Sequence, residues 1–219
     1  MGETNTKQAI VEAFIEKVST DSLRGVHVAK LIKELGINRN TFYYHFDSKF
    51  DVAMFVFRND LARQLRASFS EEELIDAPVD ERRKLESLPY YVHCEVGART
   101  LDLGGFYKAL VRCVLERPSF YRSLFDYSQI EFRMCFEGLY RPAVIDDMKF
   151  VLGGRYLAQS VFDYFVDYYT RYLFQIAEYF LRHCASADEM LDEKVNPYWN
   201  IPYETLSQAL QSHVVYRPR

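Results

Sequence analysis

Hydrophobic residues recur with helical spacing near the N-terminus, directly before a glycine. The spacing i, i+3, i+4, i+7 places four apolar side chains on one face of a helix: Val28, Leu31, Ile32 and Leu35. Gly36 follows, and a glycine can take the left-handed conformation that ends a helix and turns the chain sharply. The pattern predicts a helix that ends at residue 35 and a tight turn after it.

A second, short helix is predicted immediately after this turn. Asn38 is placed to be its N-cap, because an Asn side-chain oxygen accepts a backbone N–H two or three residues further on. Residues 39–41 are Arg-Asn-Thr and residues 42–46 are Phe-Tyr-Tyr-His-Phe, so the helix is polar at its start and aromatic at its end. This order is typical of a helix whose first residues reach base edges of DNA, while its later residues contact the sugar-phosphate backbone or pack inward.

The next helix is predicted to begin at residue 49. Ser48 and Asp51 have the spacing of a capping box. Lys49 then lies in the first turn, where free backbone N–H groups and the helix dipole favour a phosphate, so we expect it to contact the DNA backbone. Apolar residues continue at spacings of three and four as far as Leu65, which predicts a long helix that links two parts of the chain.

A packing helix is predicted ahead of these elements. Ile10, Phe14 and Val18 have helical spacing, which indicates a helix over residues 6–18. The polar residues 19–22 are expected to end it.

The run Gly-Ile-Asn-Arg-Asn-Thr-Phe-Tyr-Tyr-His-Phe at residues 36–46, followed by Asp-Ser-Lys, resembles the signature of the tetracycline-repressor (TetR) family of bacterial transcription regulators. The resemblance extends over residues 6–66 and is greatest with the branch that contains activators of dihydroxyacetone-kinase operons. It implies an all-α fold. A three-helix helix-turn-helix head, residues 1–48, would be joined by a linking helix to an α-helical body, residues 49–219, that binds an effector and forms a dimer.

The resemblance also implies which residues contact DNA. Those expected to meet bases or adjacent phosphates are Asn38, Arg39, Asn40 and Thr41. Those expected to meet phosphates, or to support the residues that do, are Tyr43, Tyr44, His45 and Lys49. His27 stands where the family usually has a Thr N-cap, so it is a weak cap, a phosphate contact or an exposed turn residue.

The first half of the body has a weaker pattern. Residues 70–88 are highly charged, which indicates a solvated loop. Residues 90–92, Tyr-Tyr-Val, favour β-structure, yet the surrounding pattern leads us to expect helix over residues 89–105. A further helix is expected over residues 106–115, and the acidic pair at 146–147 suggests the start of another.

Residues 157–182 carry two apolar faces and a charged one. Asp167 and Arg171 have the acid-first i, i+4 order that mildly stabilises helices. A helix with two apolar faces has two neighbours, so we expect one face to meet the chain's own core and the other a partner subunit. The alternative is a helix that is wholly internal to one chain. The face expected to meet the partner consists of Phe162, Val166, Tyr169, Leu173 and Ala177.

The net charge of -4 is unevenly distributed. Residues 1–66 contain ten Lys and Arg against eight Asp and Glu, whereas the remaining residues contain 17 against 23. The head can therefore present a basic face while the body repels DNA. Because the excess is small, DNA affinity must depend on a few well-placed contacts.

The sequence indicates a cytoplasmic protein without membrane contact. Its N-terminus is polar, no signal peptide is recognisable, and no run of 18 apolar residues occurs. The four cysteines have no metal-binding spacing, so we interpret them as buried thiols and expect neither a metal nor a cofactor. They are Cys94, Cys113, Cys135 and Cys184.

Two hypotheses for function follow, both of them regulators. The first is a homodimeric, ligand-responsive repressor that binds pseudo-palindromic double-stranded DNA and releases it when a small apolar or aromatic effector enters the body. The second is a TetR-like regulator that is signalled by a protein partner because aromatic side chains fill the body. An enzyme is disfavoured, since the sequence lacks a Gly-rich phosphate loop, G-x-S-x-G and H-E-x-x-H. Candidate polar anchors for an effector are His93, Arg99, Arg112 and Tyr121.

Overall fold

The computed structural model describes residues 3–78 and 86–184, and helices dominate this part of the chain. The all-α fold class is confirmed. The described residues contain eight helices: α1 (Glu3–Gly25), α2 (Val28–Leu35), α3 (Arg39–His45), α4 (Lys49–Ser68), α5 (Gly104–Leu115), α6 (Pro118–Leu124), α7 (Ile130–Leu152) and α8 (Gln159–His183). The C-terminal residues 185–219, among them Trp199, lie outside the described residues.

The helix expected over residues 89–105 was wrong, because most of this range forms short strands. The four strands are β1 (Leu74–Asp76), β2 (Pro89–Val92), β3 (Glu95–Gly97) and β4 (Thr100–Leu101). They form two antiparallel pairs, β1 with β2 and β3 with β4. All four residues of β2 are buried, so its aromatic and β-branched side chains stabilise an extended backbone that fits against the core.

The first helix is longer than its hydrophobic pattern predicts. The helical turns extend beyond residue 18, but Ser22 interrupts them, since its φ of 67° and ψ of 159° are not helical. The expected break therefore lies at the last of residues 19–22, and a short helical segment follows it as far as Gly25. The hydroxyls of Ser19 and Thr20 donate to the carbonyls of Ile15 and Glu16, so these polar side chains bond to the helix instead of ending it.

Phe57 of α4 lies in the middle of an aromatic core. Its ring packs at centroid distances of 5.4–6.5 Å against five buried rings on α6, its C-cap and α7. These rings belong to Tyr121, Phe125, Phe132, Phe136 and Tyr140. The buried hydrophobic residues of α1 to α8 form one continuous cluster, and this core has no gap at residue 48. The division into a head, residues 1–48, and a body, residues 49–219, stays a prediction.

None of the helices in residues 3–78 and 86–184 has the length and apolar character that a membrane span requires.

Candidate nucleic-acid interface

The turn between α2 and α3 has the geometry that its sequence predicts. Gly36 is left-handed, with φ 63° and ψ 22°. The N–H of Gly36 donates to the carbonyl of Lys33 and the N–H of Ile37 to that of Ile32, each at 3.2 Å, which is the hydrogen-bond pattern of a Schellman motif. The side-chain oxygen of Asn38 then accepts the N–H of Thr41 at 2.8 Å, so the predicted N-cap is confirmed.

The helix α3 divides into an inner and an outer face. Phe42 is fully buried and His45 is 9% exposed. The outer face carries Arg39, Asn40, Tyr43 and Tyr44, and the two tyrosines are 38% and 57% exposed. Four of the residues that the sequence assigns to DNA are therefore on one accessible surface.

The remaining candidates on α3 have intramolecular roles. The hydroxyl of Thr41 donates to the side-chain oxygen of Asn38 at 3.0 Å, which joins the two residues in the cap. The ring of His45 contacts the rings of Tyr44 and Phe46 at centroid distances of 5.0 and 6.5 Å. Because its ring is buried, His45 is placed to support neighbouring side chains.

Arg39 and Tyr43 lie one helical turn apart and contact each other. The guanidinium carbon of Arg39 lies 5.3 Å from the centre of the Tyr43 ring, within the range of a cation–π interaction. Tyr43 in turn packs edge-on against the buried ring of Phe42 at 5.4 Å. The buried ring thus limits the positions of Tyr43, and Tyr43 limits those of the arginine.

His27 occupies the N-cap position of α2, but it does not cap through its side chain. Its backbone is extended and its imidazole makes no cap hydrogen bond, so a weak cap is excluded. The His27 carbonyl accepts the N–H groups of Lys30 and Leu31 at 3.0 and 3.1 Å. The imidazole is exposed, which leaves a phosphate contact or a turn residue as its possible roles.

Lys49 begins α4 as the sequence predicts, but its ammonium bonds inside the molecule. The hydroxyl of Ser48 accepts the N–H of Asp51 at 3.3 Å and donates to the Asp51 carboxylate at 2.7 Å, which fixes the helix start. The Nζ of Lys49 donates to the carbonyl of Leu23 at 2.7 Å and to that of Val26 at 3.1 Å. Burial lowers the pKa of Lys49, and the nearby carboxylate of Glu131 partly opposes this effect.

The four candidate effector anchors do not lie together. Tyr121 is buried, and its hydroxyl donates to the carboxylate of Asp60 at 2.7 Å. Arg99 lies in the β3–β4 turn with a φ of 63°. Arg112 is half-buried on α5, and His93 follows β2. Tyr121 therefore has a structural role, and Arg99, Arg112 and His93 lie on three different parts of the fold.

His93 takes part in a polar cluster with Asp147 that the sequence pattern missed. The hydroxyl of Tyr91 donates to the Asp147 carboxylate at 2.8 Å, and the Nδ1 of His93 lies 3.8 Å from it. Burial is the main cause that raises the pKa of Asp147 to about 7, and the contacts with Tyr91 and His93 oppose it. The expected helix start at residues 146–147 was wrong, because Asp147 lies far inside α7 and faces the core.

A second buried cluster ties α4 to α6. The carboxylate of Asp60, 5% exposed, accepts hydrogen bonds from Tyr121, Arg117 and Arg63. Arg63 also forms an ion pair with Glu116. The linking helix is therefore held to the body by charge-assisted hydrogen bonds as well as by the ring of Phe57.

The face of α8 that the sequence assigned to a partner subunit lies in the chain's own core. Four of its five residues are buried within one protomer, and Phe162 packs partly against the same core. The assignment was wrong because this face of α8 packs against the chain's own core, where α8 meets α5, α6 and α7. The buried residues are Val166, Tyr169, Leu173 and Ala177.

The outer side of α7 and α8 has exposed apolar residues and grooves. A groove of about 490 Å³ lies along the last turns of α8 and includes Tyr127, Tyr172 and Tyr179 in its walls. Two smaller grooves of about 350 and 230 Å³ run between α7 and α8. None of the four candidate effector anchors lines these three grooves.

The fold and the interface together define a class: an α-helical protein with an N-terminal helix-turn-helix whose second helix is exposed and polar at its start. Two solved structures share this fold. One is a protein inferred to be a TetR-family transcription regulator from Shewanella sp. PV-4, with a TM-score of 0.56 and 16% identity over 96% of this chain and 98% of the other. The other is a protein inferred to be a transcriptional regulator from Pseudomonas aeruginosa PAO1, with a TM-score of 0.57 and 14% identity over 97% and 95%.

A third solved structure, the dihydroxyacetone kinase operon activator DhaS, superposes with a TM-score of only 0.47 at 13% identity over 96% of this chain and 98% of the other. No protein-family model matches the sequence, and no curated protein matches it. At these identities the likeness concerns the fold.

Proposed function

We propose that the protein is a DNA-binding transcription regulator of the TetR type that acts as a homodimer. The observation that carries this proposal is the outer face of α3, where Arg39 and Asn40 are exposed in the first turn and Tyr43 and Tyr44 in the second. An arginine can bond bidentately to a guanine and an asparagine to an adenine. The tyrosine hydroxyls suit phosphate oxygens, which fix the register of the protein on the duplex.

A homodimer would place two such helices on one duplex. Two heads related by a two-fold axis bind a pseudo-palindromic site whose half-sites are about 34 Å apart or a multiple of that distance. Each head contributes few cations, so the salt dependence of binding should be modest for each protomer. Repression is expected where such a site overlaps a promoter.

We propose that the dimer forms through the outer side of α7 and α8. Large hydrophobic residues are exposed there, although such residues are more often buried in a monomer. A patch on two antiparallel helices can pair with its own copy to give a four-helix bundle. The exposed residues are Ile130 and Met134 on α7, and Tyr164, Tyr168 and Tyr179 on α8.

The linking helix α4 connects the body to the DNA-binding helix α3, so it can transmit a movement from one to the other. It begins beside α3 and contributes Phe57 and Asp60 to the body, so a displacement in the body alters the position of α3. An effector and DNA would then oppose each other through linkage. The groove near Tyr127 and Tyr179 suits an apolar or aromatic effector, since its lining is mainly apolar.

A second candidate is a regulator that is signalled by a protein partner. It is favoured by the packing around Phe57, because five rings fill the space in which an internal effector would be held. In that case the exposed apolar surface of the body would receive the partner.

Selection from random duplex DNA tests the proposal. The native chain is compared at fixed moderate salt with Arg39→Ala/Asn40→Ala, whose side chains are exposed, and with Lys149→Ala, which removes an exposed cation on α7. We expect a two-fold-symmetric motif for the native chain and Lys149→Ala, and loss of that motif for the double variant. Circular dichroism and sedimentation confirm that each variant is folded and has the native oligomeric state.

The opposite result distinguishes the two candidates. Enrichment that survives Arg39→Ala/Asn40→Ala would contradict the proposed role of α3. No enrichment by a folded, dimeric native chain would favour the second candidate, in which a partner is required.

A further inference from the structure

Lys49 is joined by hydrogen bonds to two main-chain carbonyls of the segment at which α1 ends, one from Leu23 near the end of α1 and one from Val26 just after it. Its Nζ lies 2.7 Å from the oxygen of Leu23 and 3.1 Å from that of Val26. Carbonyls at the end of a helix lack intrahelical donors and carry the negative end of the helix dipole. A lysine ammonium has three N–H donors, and two of them are directed to these carbonyls.

The same turn of α1 is also held from the body. The backbone N–H of Leu23 donates to the hydroxyl of Ser123 on α6 at 2.6 Å. The kink at Ser22, with φ 67° and ψ 159°, precedes this residue and departs from helical geometry. The peptide groups of Leu23 are thus bonded on one side to α6 and on the other to α4, and its side chain is fully buried.

This turn determines where the DNA-binding helices begin. Val26 is buried directly before α2, and α2 leads into α3 through the left-handed turn at Gly36. A shift of the residues at 23–26 therefore moves α2 and α3 together. From the α4 side, the side chain of Lys49 bonds to the carbonyls of residues 23 and 26.

We propose that Lys49 is a positioning residue, which holds the end of α1 against the start of α4 and so sets the orientation of α3 relative to the body. This inference rests on the proposed function, since orientation matters because α3 binds DNA. It replaces the phosphate contact that the position of Lys49 in the sequence suggests. A phosphate contact and a positioning contact differ in their salt dependence and in their effect on the free protein.

The first measurement is DNA affinity as a function of salt for the native chain, Lys49→Met, Lys49→Arg and Arg39→Met. Each phosphate contact contributes about one to the slope of log affinity against log salt. We expect Lys49→Met to weaken binding on the order of tenfold, as for a lost charge-assisted hydrogen bond, with an unchanged slope. Arg39→Met removes a proposed base contact, so it should weaken binding and relax the base preference at one position of the motif.

The second measurement needs no DNA. Hydrogen exchange of the backbone amides at residues 23–31 is compared between the native chain, Lys49→Met and Lys30→Met, which removes an exposed lysine of α2. We expect exchange to accelerate on the order of tenfold in Lys49→Met and to stay native in Lys30→Met. Lys49→Arg should restore both protection and affinity, because a guanidinium can donate to the same two carbonyls.

The outcomes separate this inference from the proposed function. The proposal would be overturned if Lys49→Met reduced the slope of log affinity against log salt by about one per protomer and left amide hydrogen exchange native. Lys49 would then be a phosphate contact. Native affinity and native exchange would overturn it as well. If the native chain binds no DNA, the proposed function fails, while the exchange experiment still decides whether Lys49 holds the turn. All affinities are measured at a temperature where circular dichroism gives the same folded fraction for every variant.

Discussion

The hydroxyl of Tyr121 on α6 donates a 2.7 Å hydrogen bond to the carboxylate of Asp60 on α4. Both residues are buried, and Asp60 also accepts from Arg117 and Arg63. The contact joins the linking helix to the body at a point where the sequence suggested an effector anchor.

Tyr121→Phe is expected to reduce the free energy of unfolding by about 2 kcal/mol, because a hydrogen bond to a buried charged group is lost. Urea denaturation of the purified chain measures this difference. Tyr164→Phe is the control, since its ring is 64% exposed and its stability should stay native. An equal loss in both variants would contradict a specific role for the Asp60 contact.

The contribution of Asp147 to the stability of the protein is expected to decrease as the pH rises from about 4 to 7. Burial raises the pKa of Asp147 from 3.8 to about 7, so within this window the unfolded chain has lost a proton that the folded chain retains. The titratable groups that interact with this carboxyl are Tyr90, Tyr91, His93, Tyr107 and Asp146. Each pKa unit corresponds to about 1.4 kcal/mol, so the total decrease is on the order of 4 kcal/mol.

Urea denaturation across this pH range tests the assignment to Asp147. Asp147→Asn should flatten the profile, because a neutral amide does not titrate in either the folded or the unfolded chain. Asp146→Asn is the matched control, since its side chain is 76% exposed and its profile should keep the native slope. A native slope in Asp147→Asn would assign the pH dependence to other groups.

Gly36→Ala is expected to destabilise the protein by about 1 kcal/mol. The cause is conformational, since φ is 63° and an alanine is strained in this region, whereas no atom lies within 4 Å of the position that a Cβ would take. Gly25→Ala is the control, because a Cβ there would make ordinary contacts of 3.4 Å and longer. Thermal unfolding of both variants gives the comparison, and equal melting temperatures would argue against the Schellman turn.

Tyr164→Ser/Tyr168→Ser is expected to weaken the proposed dimer without unfolding the chain. The two rings are 64% and 51% exposed in the protomer, so their loss removes apolar surface that only a partner would cover. Sedimentation over a range of concentrations measures the dissociation constant, which should rise at least about tenfold. Tyr156→Ser is the control, because Tyr156 is 43% exposed but precedes α8, and a similar rise there would place the interface elsewhere.

The helix-turn-helix could be predicted from the sequence because its determinants are local. Gly36 ends α2, while Asn38 and Ser48 cap the following helices through hydrogen bonds to residues three positions away. A left-handed glycine and short polar caps act within one turn of chain, so the residues themselves specify the geometry.

The roles of Lys49, Asp147 and the faces of α8 could not be predicted because they depend on distant parts of the chain. Lys49 bonds to carbonyls 23 and 26 residues away, and Asp147 meets a tyrosine 56 residues away. Periodicity identified the apolar faces of α8 but not which neighbour covers each of them. For β2 the local β-preference was correct, and the expectation of helix from the surrounding pattern was wrong.

The ring of Phe57 has a kinetic consequence. It belongs to α4 and contacts five other rings, all of which are buried and closely packed. Any molecule that entered this core would have to wait for rings to rearrange, so we expect its association rate to be far below the diffusion limit. Because one of those rings is carried by the linking helix itself, the slow step of uptake and the movement of α4 would be the same event.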